Sequence, residues 1–506
     1  MADQIARRTF LKAAGIAAAT TPWLNRASSA PAGESKARPD ILFLMPDQMR
    51  GDCLSALNHP AVRTPRIDGL ASGGVLFRRA YTTVSSCIPA RFGLMTGLCP
   101  QTSGVVGFAA KPIKTPTLPD VLNEAGYQTF LVGRNMHQKG DCGYQKSILG
   151  STYVNGDDYD QFLKAEAPET GGIRKVIKKL GIDCNHWPAK CWPLEERLHP
   201  TNWIVETSRK VLADADADKP IFLTTSFYAP HPPLFPPKKY WDACAARKLP
   251  KTAHGDWVDW PTITTKGRDG GHRVLLEGKL LADAQAGYFG LIDHLDRQIE
   301  PLIAEFKARS EKAGRPWIIA FTADHGEMLG DHGYFRKCEP YEGSANIPMI
   351  FAASPELGIK PGRHINQPVC LEDIKPTLLA LAGLKCPGRV DGVDLTPTLR
   401  GRDQEIRPWL HFEHSPCYSK AQAYHALTDG RYKYIWRPTD GDEQLFDLEN
   451  DPTEEKNLAA QDACADLLAT WRGRMIERLT PRPEGFVQDG KLVAGRPYKA
   501  LNAGTL

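Results

Sequence analysis

Short runs of apolar, β-branched and aromatic residues recur along the chain, and each ends in polar residues. Residues 40–45 (Asp-Ile-Leu-Phe-Leu-Met) lead into Pro46-Asp47-Gln48, and residues 128–132 lead into Gly133-Arg134-Asn135-Met136-His137. Residues 221–226 lead into Ala229-Pro230-His231, and residues 317–321 into Asp324-His325-Gly326. Continuous runs of this length predict strands buried on both faces. Helical patterns lie between them. The clearest covers 281–306, where Tyr288, Leu291, Leu295, Ile299, Leu302 and Phe306 share one stripe. Alternation of this kind predicts an α/β fold with a mainly parallel central sheet flanked by helices. Ligands of such sheets sit beyond the carboxyl ends of the strands, which is where these polar residues fall. Taken singly, Asp47 also fits an Asx-turn or N-cap, His231 a loop histidine, and Asp324-His325-Gly326 a turn.

Composition narrows the class. The chain has 506 residues, 42% hydrophobic and 24% charged, as in an ordinary globular protein. The 63 basic and 59 acidic side chains leave a formal +4, too weak a field to argue for nucleic acid. No apolar run approaches the ~20 residues that span a bilayer. Residues 1–30 read as an address rather than fold: Arg7-Arg8-Thr9-Phe10-Leu11-Lys12, a weakly apolar stretch over 13–19, and Ser28-Ser29-Ala30. That order resembles a bacterial twin-arginine signal, implying the twin-arginine export machinery as a partner and a periplasmic or secreted product. The twelve cysteines include no pair at zinc-site spacing; Cys184 and Cys191 are close enough in sequence to be considered for a disulfide.

The most informative segment is 81–97, Tyr-Thr-Thr-Val-Ser-Ser-Cys-Ile-Pro-Ala-Arg-Phe-Gly-Leu-Met-Thr-Gly. Pro89 suits an early helical position, which puts Cys87 at a helix N-terminus with Arg91 one turn on. Unpaired N–H groups there favour a thiolate or a bound anion. A small buried cysteine before a proline-initiated helix fits the same residues.

Cys87-Ile88-Pro89-Ala90-Arg91, followed by Leu94-Met95-Thr96-Gly97, resembles the signature of the type I, formylglycine-dependent sulfatases of the alkaline-phosphatase-like superfamily. The resemblance runs from about 38 to 458. It includes Asp47-Gln48, Thr64-Pro65-Arg66-Ile67-Asp68, Pro230-His231-Pro232-Pro233 and Asp324-His325-Gly326-Glu327, then Lys337, Asp373-Ile374-Lys375-Pro376-Thr377 and Leu445-Phe446-Asp447-Leu448. It implies a catalytic α/β domain over 38–390 and a smaller C-terminal domain over 391–506 containing a short antiparallel sheet.

The family's mechanism would assign the site as follows. Cys87 becomes formylglycine through a maturation enzyme. One hydroxyl of the hydrated aldehyde attacks sulfur, the alcohol leaves, and the second hydroxyl expels sulfate. Asp47, Gln48, Asp324 and His325, with position 87, would hold Ca²⁺, with Mg²⁺ or Mn²⁺ as alternatives. Gln48 stands where many members carry a second Asp. Arg91 would steady the nucleophile and metal, Lys337 would bind sulfate oxygens, and His231 would serve the leaving alcohol or contact sulfate. His137 would assist sulfate release. Here the chain departs from the family: Arg134 replaces a lysine, and one extra residue precedes His137.

The expected substrate is a sulfated small molecule or glycan, with a carbohydrate sulfate ester the first choice. Residues 138–205, with Lys175, Lys178, Lys179, His186, Trp187, Trp192 and Trp203, and residues 245–275, with Trp257 and Trp260, are candidate substrate walls; ordinary loop packing fits them equally. Two other readings accompany the sulfatase: a phosphonate or phosphate ester hydrolase of the same superfamily, and a sulfoglycan-binding protein without catalysis.

Overall fold

A computed structural model describes residues 37–504 apart from 139 and 264–271; the signal segment expected at 1–30 lies outside the described residues. From Ala37 onward the chain is one compact unit. Among the described residues no helix is long and apolar enough to cross a membrane.

The predicted strands form where the apolar runs stand. In chain order they are β1 (Asp40–Asp47), β2 (Gly74–Phe77), β3 (Ala80–Tyr81), β4 (Gln128–Gly133), β5 (Lys146–Leu149), β6 (Ile221–Pro230), β7 (Trp317–Thr322), β8 (Met349–Ala353), β9 (Arg363–Ile365) and β10 (Val369–Cys370). Eight of them make the central sheet, ordered β5-β4-β6-β1-β7-β8-β2-β9, while β3 pairs with β10. Only β8 runs antiparallel to its neighbours in that sheet. β1 and β6 are buried at every position, which explains why they read as unbroken apolar runs.

Helices cover the sheet. The stripe expected at 281–306 belongs to the 35-residue helix Gly278–Lys312, with Tyr288, Leu291, Leu295, Ile299, Leu302 and Phe306 all buried. The expected C-terminal antiparallel sheet is present as β11 (Leu410–His414), β12 (Tyr424–Thr428), β13 (Tyr432–Trp436) and β14 (Glu443–Asp447), ordered as in the chain. The helix Ala465–Leu479 packs on it through Leu468, Trp471, Met475 and Leu479. The other side of this sheet meets the large body through a shared core of Phe412, Tyr424, Ile435 and Phe446 with Tyr81, Met328 and Tyr341.

Two readings left open by the sequence are decided. Trp187, Trp192 and Trp203 are not substrate walls but core: Trp203 packs at 5.4 Å from Tyr159, and Trp192 lies at 5.4 Å from Phe235. Trp257 stacks on Tyr341 at 4.6 Å, and Trp260 stacks on His254 at 4.2 Å. An indole in a long insertion has more apolar area to bury than the insertion has other means of covering. Cys184 and Cys191 are both free thiols, and Cys184 instead receives a hydrogen bond from Arg174 Nη1 at 3.3 Å.

Candidate active site

The carboxyl ends of β4, β6, β1 and β7 lie side by side and bring the polar residues that follow them to one place. Asp47 closes β1, Arg134 follows β4, His231 follows β6 and Asp324 follows β7. All four are buried. The β4 end needs its glycine: Gly133 has φ +100°, and a Cβ there would collide with the Ser226 carbonyl oxygen of β6.

Facing this edge is the helix Cys87–Thr96, with Cys87 as its first residue and 2% exposed. Arg91, one turn along, ties the helix to the sheet. Its Nη2 donates to Asp47 Oδ2 and its Nε to Asp324 Oδ2, each at 2.8 Å, while Nη1 reaches the Asn135 carbonyl at 2.8 Å and Ser226 Oγ at 3.3 Å. One guanidinium thus takes the outer oxygen of both carboxylates and turns their other oxygens inward.

Those inner atoms form a candidate cation site. Asp47 Oδ1, Asp324 Oδ1 and His325 Nε2 lie within 4.8 Å of one another, with the imidazole nitrogen 3.7 Å from each oxygen. Asp47 Oδ1 and His325 Nε2 are buried without a hydrogen-bond partner. His325 Nδ1 lies 3.0 Å from the Gly326 carbonyl, which leaves Nε2 as a lone pair pointing inward. Burial and the nearby Asp324 charge push the Asp47 carboxyl upward against the pull of Arg134 and Arg91. Asp324 is driven the other way: burial opposes its ionisation, but the charges of Arg91 and Arg134 outweigh it. Two buried carboxylates and an imidazole with free donor atoms fit a divalent metal ion, as the sulfatase family generally uses.

Gln48 borders this site in a left-handed conformation, φ +66°. Its N–H donates to Asp324 Oδ1 at 3.1 Å, its amide NH₂ donates to Glu327, and its Oε1 accepts from Lys337 Nζ at 2.7 Å. Tyr288 of the long helix donates to the Gln48 carbonyl at 2.6 Å and holds the turn. The Gln48 oxygen therefore joins the carboxylate site to the lysine.

Lys337 also donates to His231 Nε2 at 2.9 Å, and His231 Nδ1 sits 2.6 Å from the Pro232 carbonyl. An ammonium cannot accept, so His231 carries its hydrogen on Nδ1 and is neutral. Burial, then the Lys337 and Arg134 charges, hold its pKa well below the usual histidine value. Arg134 lies in ion contact with Asp47 and packs against the adjoining rings of Tyr228 at 4.4 Å and Tyr153 at 5.3 Å, with its Nη1 left unpaired. His137 stands in a left-handed turn, φ +56°, with a buried unpaired Nε2, and burial followed by the Arg134 and Arg91 charges keeps it neutral. Gln138 fastens this loop to the Cys87 helix by donating to the Ile88 carbonyl at 2.8 Å.

The structure thus gathers Cys87, Arg91, Asp47, Gln48, Asp324, His325, Arg134, His231 and Lys337 around one centre, with His137 on the neighbouring loop. Lys337, Asp47, Arg134 and Asp324 all act on the Cys87 thiol, although burial dominates and pushes its pKa up. Three cations against two carboxylates suit an anionic ester. Sequence reasoning missed Glu327, which orients Gln48, and the tyrosines enclosing Arg134. It also missed His414 of β11, whose Nε2 lies 2.8 Å from Ser86 Oγ. Glu327 lies in a matched motif; the others carry no local signal.

A second histidine–carboxylate group, His411, Glu413 and His425, lies in the small sheet. Apart from His425 Nε2 its atoms are already engaged: Arg478 donates to His411, Glu413 accepts from Arg482 at 2.7 Å and from Tyr498, and the two imidazoles meet at 3.2 Å. It is a structural network.

Comparison with known proteins agrees with this geometry. Residues 39–384 match the sulfatase family model, and residues 330–480 match the C-terminal region model of N-sulphoglucosamine sulphohydrolase. The chain is 34% identical to an arylsulfatase of Clostridium perfringens, covering 92% of this chain and 99% of that protein. It is 25% identical to a Δ4,5-hexuronate-2-O-sulfatase of Bacteroides thetaiotaomicron, over 90% of this chain and 92% of the other. Among solved structures it resembles the phosphonate monoester hydrolase of Agrobacterium radiobacter, with TM-score 0.74 and 24% identity, covering 91% of this chain and all of that one; at that identity the likeness speaks for the fold. The chain belongs to the sulfatase family of the alkaline-phosphatase-like superfamily and is a sulfuric ester hydrolase.

Proposed function

We propose that the enzyme hydrolyses sulfate esters of carbohydrates after Cys87 has been converted to formylglycine, and that it is exported by the twin-arginine route. The observation that carries the catalytic reading is the position of Cys87: first residue of a buried helix, facing the paired carboxylates Asp47 and Asp324 that Arg91 locks together. An aldehyde at position 87 supplies, once hydrated, an oxygen nucleophile for sulfur and a means of releasing sulfate by restoring the carbonyl. A divalent cation, calcium by family resemblance with magnesium and manganese as competitors, would be held by Asp47, Gln48, Asp324 and His325 and would supply positive charge beside the reacting oxygens.

The chain's own residues do the rest. Lys337 and Arg134 present N–H donors to the sulfuryl oxygens, and the water-excluding burial of both strengthens that attraction. The leaving oxygen needs a proton. Lys337 and His231 hold one between them at 2.9 Å, so this pair is the source we assign to it. His137, neutral and unpaired, is the base we assign to the release of sulfate.

Carbohydrate is favoured as substrate by the relatives: the C-terminal match is to a sulphoglucosamine hydrolase model, and one relative acts on a hexuronate sulfate. The burial of Cys87 supports a conversion that precedes folding, and export of folded protein by the twin-arginine pathway accommodates that order.

The deciding experiment is mass spectrometry of the tryptic peptide 80–91 from protein made with a formylglycine-generating enzyme, followed by sulfate release from sulfated sugars. An aldehyde at 87 with sulfate release supports the reading. A free thiol in active protein overturns the nucleophile, and turnover confined to phosphonate esters overturns the substrate class.

A further inference from the structure

Two thiols with no part in the sulfate chemistry meet where the Lys337 loop touches the segment after β11. Cys338 directly follows Lys337, and Cys417 lies three residues beyond His414, the end of β11. Neighbouring contacts hold the two segments together. The Arg336 guanidinium stacks 4.9 Å from the centre of the Tyr418 ring, and Gln422 Nε2 donates to Glu339 Oε1 at 2.9 Å. Beside these contacts, Cys338 and Cys417 are side-chain neighbours, each acting on the other's sulfur. Cys338 is wholly buried, with its N–H fixed on the Ser85 carbonyl at 2.8 Å; Cys417 is half-buried.

The two sulfurs have different surroundings. The neighbouring Cys338, then the charges of Lys337 and Arg336, lower the pKa of Cys417 against its burial. Burial pushes Cys338 upward. A partly accessible thiol beside two cations, with a second thiol as its neighbour, is the arrangement of an attacking and a resolving cysteine.

We propose that Cys338 and Cys417 form a dithiol site that reacts with small-molecule disulfides and closes reversibly into a disulfide between the Lys337 loop and the small sheet. The Cys417 thiolate attacks one sulfur of the oxidant, for example glutathione disulfide. The oxidant's S–S bond breaks, and one glutathione leaves as thiolate and takes up a proton. Cys338 then gives up its proton and attacks the Cys417 sulfur of the mixed disulfide, expelling the second glutathione. Two protein thiols are oxidised and two glutathione thiols are formed. Because Lys337 is the residue before Cys338, the bond ties the sulfate-facing ammonium to the C-terminal sheet.

A second thiol contact, Cys99 with Cys370, provides an internal comparison. Cys370 pulls the Cys99 pKa down, but burial and the charges of Glu372 and Asp391 outweigh it and raise it, so the Cys99 thiolate is disfavoured.

The test is made on the folded full chain. Protein is incubated with glutathione disulfide, free thiols are capped with an alkylating agent, and the protein is digested with trypsin without reductant. The expected product joins peptides 338–363 and 403–420, is two hydrogens lighter than their sum, and disappears on reduction. It forms ahead of the corresponding link between 92–114 and 364–385. In Cys338→Ser the glutathione adduct on Cys417 accumulates, since nothing resolves it. Alkylation of both thiols in wild-type protein, or a lasting glutathione adduct on wild-type Cys417, would overturn the proposal. An unmodified Cys417 in folded Cys338→Ser would overturn its role as the attacking thiol.

Discussion

Ser86 Oγ lies 2.8 Å from His414 Nε2, so the residue before Cys87 is held by a histidine of the C-terminal sheet. The direction of the bond follows from the other ring nitrogen. His414 Nδ1 sits 2.5 Å from the Ser415 carbonyl, which can only accept, so Nε2 is the acceptor and the serine donates. Burial pushes the His414 pKa down to about 4, which keeps the ring neutral at working pH. His414→Ala leaves a buried hydroxyl without its partner, at a cost of roughly 1–3 kcal/mol. A positioning role predicts kcat lowered about ten- to hundredfold with KM nearly unchanged, by the relation of about 1.4 kcal/mol per decade. Steady-state kinetics on an aryl sulfate, with circular dichroism to establish folding, decide it; a change in KM alone would assign His414 elsewhere.

Cys87→Ala removes one buried sulfur from a helix whose other nine residues are untouched. Turnover is expected to fall to background while the unfolding transition stays within a few degrees of wild type. Retention of wild-type kcat would exclude position 87 as the nucleophile.

His231→Ala removes the acceptor of the Lys337 proton. If the pair serves the departing oxygen, the loss grows as the leaving alcohol becomes more basic: small on nitrophenyl sulfate, large on a sugar sulfate. Equal losses on both substrates would leave His231 a contact for sulfate only.

The cation site predicts a linkage. Wild-type protein freed of metal by a chelator should gain thermal stability on adding calcium, by about 2.7 kcal/mol at a hundredfold excess over Kd. Asp47→Asn loses an inner oxygen charge and should show a much smaller gain. Repeating the titration with manganese and magnesium ranks the ions, and elemental analysis of the purified protein identifies the resident one. Identical gains in wild type and variant would place the ion elsewhere.

Glu372 offers a pH test away from the metal. It lies under the nucleophile helix, accepts a hydrogen bond from Thr83, and burial lifts its pKa to about 7. A carboxyl with a raised folded pKa favours the folded state while protonated. Its contribution is therefore full below the unfolded value and declines between about pH 4.5 and 7, where the unfolded chain has already ionised. A shift of this size is worth on the order of 3 kcal/mol. Glu372→Gln should match wild type near pH 5 and melt several degrees higher at pH 8. Parallel melting curves against pH would show that Glu372 is ionised without penalty.

The central sheet was legible because its strands are buried on both faces, and such strands announce themselves as unbroken apolar runs. Cys87 at a helix start was legible through Pro89, and Asp47, His231 and Asp324 through their places just after strands. What could not be read are pairings across the chain. His414 meets Ser86 across 328 residues, and neither has a neighbour that hints at the other. The tyrosines around Arg134 lie in separate elements, and the tryptophans of the insertions look the same in sequence whether they line a cleft or fill a core. Arg134 shows the same limit: charge alone suggested a stand-in for lysine, whereas its contacts with Asp47 and with the rings of Tyr228 and Tyr153 became visible only in three dimensions.

The order of strands in the central sheet also sets a schedule. β1 has β6 and β7 as partners, so the middle of the sheet cannot close until residues 317–322 have been synthesised. Some 230 residues separate them from Cys87, and at roughly 5–20 residues per second their synthesis takes on the order of ten to fifty seconds. Throughout that interval Cys87 belongs to an unclosed chain. If Cys87 is converted as proposed, an enzyme working co-translationally has a kinetic window written into the topology. A faster ribosome or a scarcer maturation enzyme would be expected to yield well-folded protein with an untouched thiol sealed inside.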